Sequence, residues 1–358
     1  MVKSIIPFGP QHPVLPEPLQ LKLVMEDDKV LEALPSIGYV HRGLEKLAEL
    51  KDFQQTVYIM ERVCGICSFM HSMTYVRGIE DLMNIQIPER AEYLRVIWAE
   101  LGRVQSHLLW LGLIADAFGF ESLFMESWKI REKVMDLMEM TTGNRVIISA
   151  NKVGGVTKDL TQEHIKIILS SIDEMEKKLK EIEGVFLNDY TVKHRLVGVG
   201  VLTLDDVKEY GAIGPVARAS GLNLDLRTTG YSAYKYLDFE PILDKAGDSY
   251  ARTEVRIKEL YQSFGLIRQA IAQIPQGEIV TAFKGFPNGE TISRVEQPRG
   301  EVVYTIKANG TKNLQRLKIR TPTFANIPAL LKMLPGSRLP DVPVLILTID
   351  PCISCTER

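Results

Sequence analysis

The chain has 358 residues, 45% of them hydrophobic and 25% charged, with a net charge of −2. That balance suits a large buried core in one domain or two closely joined ones, and it excludes the basic footprint of a nucleic-acid binder. The longest apolar runs, such as VLILTI (344–349), fall far short of the roughly 20 residues of a membrane span. MVKSIIPFGPQHP lacks the apolar stretch and cleavage site of an export signal, so a cytoplasmic place is expected.

In chain order, residues 1–16 are rich in proline and glycine and read as an extended, irregular arm. LQLKLVM (19–25) alternates as a strand does, and EDD follows it as a turn. From about 42 to 145 the pattern is mostly helical, and residues 90–119 are apolar on so many sides that a buried helix is expected. Ile165, Ile168, Ile172, Met175, Leu179 and Ile182 step by three and four, a helical core stripe. Ile257, Leu260, Phe264, Ile267, Ile271 and Ile274 repeat those steps, and Pro275 closes that helix. Between the two stripes, 195–245 reads as glycine-rich and irregular. EVVYTIKANGTKNLQRLKI predicts a hairpin around Asn309-Gly310. The fold class expected is α+β, mainly α, with a long-helix core and small β elements near the N-terminus and in the C-terminal third. We expect one domain over 1–358: an arm and β element over 1–40, a helical core over 41–275, and a hairpin with a metal-binding segment over 276–358.

All four cysteines fall in two C-x-x-C pairs, Cys64 with Cys67 and Cys352 with Cys355. With no export signal, such pairs favour metal or redox chemistry over a disulfide framework. Compact zinc modules separate their pairs by roughly 12–20 residues; here almost the whole chain lies between, so the fold itself must bring them together. Spacing alone leaves open a tetrathiolate zinc, an iron–sulfur cluster or unrelated buried cysteines. Soft thiolates select zinc, copper(I), nickel or iron. Glu61, Arg62, His71 and Asp350 flank the pairs, and such neighbours tune working metal centres.

RVCGICSFMH and DPCISCTER together resemble the two signature motifs of [NiFe] hydrogenase large subunits. The resemblance spans nearly the whole chain through GPQHP (9–13), YVHRGLEK (39–46), GRVQSHLLWLG (102–112), GPVARASGLNLDLR (214–227), VEQPRGE (295–301) and IRTPTF (319–324). It points to the energy-converting, membrane-bound Ech-type branch related to the 49-kDa subunit of complex I.

The resemblance implies a NiFe(CN)2(CO) centre, with Cys64 and Cys352 as terminal nickel ligands and Cys67 and Cys355 bridging nickel to iron. It implies proton relay by Glu17, an overhanging guanidinium from Arg299 paired with Asp350, hydrogen bonds to cyanide from the segment that contains Pro322 and Thr323, and donation from His71 to a bridging sulfur. It makes Glu45 a ligand of an additional magnesium or iron ion. That ion usually takes a histidine where this chain has Arg358, and a guanidinium is no ligand, so the alternative is an ion pair between Glu45 and Arg358. His41 would line the entrance. With no cysteine left for a cluster, electrons would leave through a small subunit carrying a [4Fe–4S] cluster. A ferredoxin-like iron–sulfur subunit, soluble ferredoxin and integral membrane ion-translocating subunits complete the expected partners. The chain would sit peripherally on the cytoplasmic face of the membrane, catalysing reversible H2 formation. A metal-free quinone-reductase-type subunit and a zinc scaffold are the alternatives.

Overall fold

The computed structural model describes residues 3–358. Three strands, β1 (Lys3–Phe8), β2 (Gln20–Glu26) and β3 (Lys29–Ser36), form an antiparallel meander. The alternation read in LQLKLVM turns Leu21, Leu23 and Met25 inward. The irregular arm expected over 1–16 is corrected by β1, which pairs along its full length with β2, from Lys3 opposite Glu26 to Phe8 opposite Leu21. Pro7 is tolerated because β1 is an edge strand and needs no outward donor.

The helical core follows as expected: α1 (Leu44–Leu50), α2 (Phe53–Glu61), α3 (Ser68–Met83), α4 (Glu89–Ala117) and α5 (Glu121–Thr142). α4 is buried on nearly every side, charged residues included, so it is the spine against which the other elements pack. Two very short strands, β4 (Asn151–Lys152) and β5 (Gly155–Val156), precede α6 (Gln162–Asn188), which buries its isoleucine stripe. The segment expected to be irregular over 195–245 holds more structure than its glycines suggest. α7 (Tyr190–Leu196) is capped by Asp189, α8 (Leu204–Tyr210) by a Thr203–Asp206 capping box, and α9 (Pro215–Arg218) begins on a proline. Helices this short carry too little periodicity to be recognised.

The second stripe lies on α10 (Ser249–Gln273), which ends before Pro275 as predicted. The hairpin around Asn309-Gly310 is present as β7 (Gly300–Asn309) and β8 (Leu314–Arg320), and β6 (Asn288–Gln297) extends it to three antiparallel strands. The chain ends in α11 (Pro322–Met333), α12 (Val342–Thr348) and α13 (Ile353–Glu357). The large core gathers α1–α6, α10 and the second sheet, while the first sheet packs with α11 and α12 in a smaller one. The cysteines form their own cluster where these elements end.

Candidate metal centre

Cys64 and Cys67 lie in the short link between α2 and α3, and Cys67 is the N-cap residue of α3. The backbone N–H groups of Ile66 and Cys67 donate to Cys64 Sγ at 3.2 and 3.3 Å. Beyond α12, Asp350 takes a left-handed turn at φ 54°, which starts α13 with Cys352 as its N-cap. Cys352 N–H donates to Thr323 Oγ1 at 3.1 Å, and Thr321 Oγ1 donates to the Cys355 carbonyl at 3.1 Å. Thus the N-terminus of α11, with Pro322 buried beside Thr323, holds the second motif in place.

The two pairs converge. Cys64 Sγ lies 3.4 Å from Cys352 Sγ, and Cys67 Sγ lies 3.8 Å from Cys355 Sγ. The sulfurs of Cys64, Cys67 and Cys355 are all within 4.8 Å of one another. All four are free and buried. In the bare protein, hydrogen bonds from Cys352, Cys355 and Cys67 pull Cys64 well below the usual thiol range. Burial and the neighbouring thiols push Cys355 well above it. Four thiolates packed this closely would repel one another, and a soft cation among the sulfurs would supply the compensating charge. Four buried thiols at these separations fit such an ion, and a tetrahedral thiolate site at bonds of roughly 2.3 Å has similar sulfur spacing.

Charged and polar groups close around the sulfurs. His71 Nε2 stands 3.4 Å from Cys355 Sγ, and its Nδ1 stands 2.8 Å from Tyr304 Oη. Burial lowers the His71 pKa to about 4, so the imidazole is neutral. Gln297 Oε1 lies 3.6 Å from Cys67 Sγ. Pairing of Gln297 with Gly300 makes Pro298-Arg299 a two-residue hairpin turn that points inward. Arg299 Nη2 meets Asp350 Oδ1 at 2.8 Å, Nε donates to the Asp350 carbonyl at 2.8 Å, and Nη1 donates to Ser106 Oγ at 3.1 Å. Burial works against that guanidinium, yet the charges of Asp350 and the cysteines hold it firmly protonated. Gly214, at φ 67°, lies against the same turn; a Cβ there would stand 2.3 Å from the Arg299 carbonyl oxygen.

Glu17 accepts from the N–H of Ile353, from the N–H of Ser354 at 3.1 Å and from the Ser354 hydroxyl, so its carboxylate caps the turn that follows Cys352. Glu17, Arg299 and Asp350 share one cavity of about 240 Å³ whose other walls include Trp110, Trp128 and Leu113. Farther in, Glu100, Asp225, Glu259 and Glu296 interlock with Arg103, Arg218 and Arg227 in a fully buried charge cluster. Arg103 also donates to the carbonyls of Gln297 and Glu296 at 3.3 and 2.9 Å, tying the cluster to the strand beside Cys67.

Glu45 Oε1 accepts from Arg358 Nε at 3.1 Å and from the Ile319 N–H at 3.0 Å, and its Oε2 lies 3.4 Å from Arg316. The guanidinium of Arg358 thus stands beside the carboxylate that the extra ion would use. His41, expected at the entrance, lines a separate cavity of about 390 Å³ with Glu45 and Arg358. Gln297, Tyr304, Ser106 and Thr321 escaped sequence reasoning, since each reaches the site from a distant element and none sits in a cysteine motif.

Two family models match the chain. The respiratory-chain NADH dehydrogenase 49 Kd subunit matches residues 117–285 and 278–358, and the nickel-dependent hydrogenase matches residues 42–114, which contain Cys64 and Cys67. A carbon monoxide-induced hydrogenase of Rhodospirillum rubrum is 40% identical over 99% of both chains. A membrane-bound hydrogenase subunit alpha of Pyrococcus furiosus is 40% identical over 99% of this chain and 87% of its own. Among solved structures, a chain of an archaeal membrane-bound sulfane sulfur reductase, a respiratory membrane complex, superposes with a TM-score of 0.95 at 29% identity, covering 99% of this chain and 98% of the other. Among the described residues no helix is long and apolar enough to cross a membrane.

Proposed function

The chain belongs to the family of large subunits of membrane-bound [NiFe] hydrogenases related to the 49-kDa subunit of complex I, and on that premise we propose that it catalyses reversible H2 formation at a four-thiolate nickel–iron centre. The observation that carries this is the convergence of all four cysteines into one buried cluster, with the nickel-dependent hydrogenase match covering the first pair. Cys64, Cys67, Cys352 and Cys355 would hold the nickel–iron centre. When bound, the centre supplies heterolytic H2 chemistry.

The protein's own groups handle the proton. Cys352 Sγ takes it as a thiol, and Glu17, fixed on the turn that follows, receives it and passes it outward. Arg299, locked by Asp350 and Ser106, closes the inner end of the cavity and keeps a fixed positive charge over the sulfurs. Trp110, Trp128 and Leu113 keep that approach apolar, which suits H2 and excludes water. Pro322 and Thr323 are assigned to cyanide, and His71 to the Cys355 sulfur.

Electrons would pass between the centre and soluble ferredoxin through a small subunit with a [4Fe–4S] cluster and a ferredoxin-like subunit. Integral membrane partners would translocate ions and hold the chain on the cytoplasmic face. The long match to the 49 Kd subunit favours a second reading, a metal-free quinone-reductase-type subunit; four converging thiols weigh against it, because a vacated site has no use for them. Metal analysis and infrared spectroscopy of the assembled complex decide. About one nickel and one iron per chain with metal-bound CO and cyanide bands supports the proposal, zinc alone indicates a scaffold, and neither metal nor bands indicates the second reading.

A further inference from the structure

We propose that the side-chain amide of Gln297 donates a hydrogen bond to the Cys67 thiolate and so positions and tunes that ligand in the loaded centre. The inference rests on the four-thiolate reading and concerns a residue of the VEQPRGE segment to which the resemblance assigned no role.

Gln297 is the last residue of β6 and is wholly buried. Its backbone is pinned by pairing with Gly300 and by the Arg103 bond to its carbonyl. The side chain therefore has one direction to reach, toward Cys67. In the structure its Oε1 faces Cys67 Sγ at 3.6 Å as the acceptor of an S–H, while Nε2 is buried with no partner among the described residues. A buried amide nitrogen without an acceptor costs roughly 1–3 kcal/mol.

The arrangement suits a protonated cysteine only. A metal-bound cysteine is a thiolate with no hydrogen to give, and Oε1 against it sets two acceptors face to face. A half-turn about the terminal amide torsion, which is broad and two-fold, exchanges the oxygen for the nitrogen. That one rotation gives Nε2 its acceptor and gives the thiolate a donor. Cys355, the other expected bridge, faces His71 Nε2 at 3.4 Å, which donates in the tautomer that a thiolate selects. Each bridging sulfur then carries one side-chain hydrogen bond, and donors to a ligating sulfur draw charge away from the metal.

The test is infrared spectroscopy of the assembled complex carrying Gln297→Leu, which puts an apolar side chain of similar size in its place and removes the donor. With metal content unchanged, the CO and cyanide bands should move to lower frequency, because a thiolate stripped of its donor leaves more charge on iron. Bands at wild-type positions would overturn the proposal while leaving the metal-centre reading intact; absence of bands from the wild-type complex would sink that reading instead. Should the leucine variant fail to load, the wild-type complex labelled with side-chain 15N-glutamine gives a second route. Pulsed electron paramagnetic resonance of a paramagnetic nickel state should show coupling to the label, and its absence overturns the proposal.

Discussion

The hydroxyl of Tyr304 on β7 meets Nδ1 of His71 on α3 at 2.8 Å, opposite the nitrogen that faces Cys355, so one imidazole links the tyrosine to the cysteine cluster. Cys355 as a thiolate can only accept, so His71 Nε2 must donate to it, and Nδ1 must accept from tyrosine. Tyr304→Phe removes the donor to Nδ1, leaves that buried nitrogen without a partner and frees the ring to shift against the sulfur. We expect a fall in thermal stability equivalent to about 1 kcal/mol and a shift of the metal-bound CO band; an unchanged infrared spectrum would show that the tyrosine does not position the imidazole against the sulfur.

Glu17→Gln keeps the shape of the cap but cannot carry a proton. H2 turnover should fall by roughly 10²–10⁴-fold, the usual worth of a general acid–base group, while nickel and iron content stay at wild-type level. Recovery of part of the rate in Glu17→Asp would locate the loss in proton transfer. Full turnover in the glutamine variant would remove Glu17 from the path.

Gly214→Ala acts on catalysis through backbone alone. The added Cβ would meet the Arg299 carbonyl at 2.3 Å and the Gly300 Cα at 2.6 Å, so the hairpin turn must move outward and carry Arg299 off Asp350. Misplacement of a catalytic group by about 1 Å can cost on the order of 10²-fold. We expect a comparable loss of turnover with all metals retained, whereas an alanine variant of normal rate would mean that the turn tolerates displacement.

Burial and the charge of Asp225 raise the Glu296 pKa to about 7. An acid whose folded pKa lies above its unfolded one stabilises the protein below the unfolded pKa, and the contribution is lost as pH rises toward the folded value. Stability should therefore decline between about pH 4.5 and pH 7 by roughly 3 kcal/mol from this group, less whatever other groups offset. Glu296→Gln, which mimics the protonated acid, should flatten that stretch of the denaturation profile. Glu259→Gln, which removes a charge that Arg218 needs, should instead destabilise by about 3–5 kcal/mol near neutral pH, an effect that fades on acidification.

Arg358→Ala removes a partly exposed partner of Glu45 and should lower stability by up to about 1 kcal/mol in denaturant. Added magnesium should leave the wild-type midpoint unchanged, since the guanidinium already satisfies that carboxylate. A midpoint that rises with magnesium would restore the ion site.

Local signals carried much of this fold. The stripes on α6 and α10, the alternation in β2 and the near-continuous apolarity of α4 were legible because each buries a repeating face. The strand β1 was hidden because its pairing depends on a partner's free edge, not on its own residues. At the site, the two cysteine pairs announced themselves by spacing. Gln297, Tyr304 and Ser106 did not, since what makes them part of the site is sheet register and helix rotation rather than neighbours in sequence. Gln297 sits opposite Cys67 only because β6 ends where Gly300 begins its return.

The buried charge on α4 has a consequence for what the chain can tolerate. Glu100, Arg103, Ser106, His107 and Trp110 leave the helix on related faces and serve different tasks: Tyr234 and Arg227, the Gln297 carbonyl, Arg299, Glu259, and the Leu347 carbonyl at 2.6 Å. A single-residue insertion or deletion within that stretch would rotate everything beyond it by about 100°. It would unseat Arg299, the ion cluster and the anchor of α12 in one stroke. α4 is thus an indivisible ruler, open to substitution at single marks and closed to any change in its length.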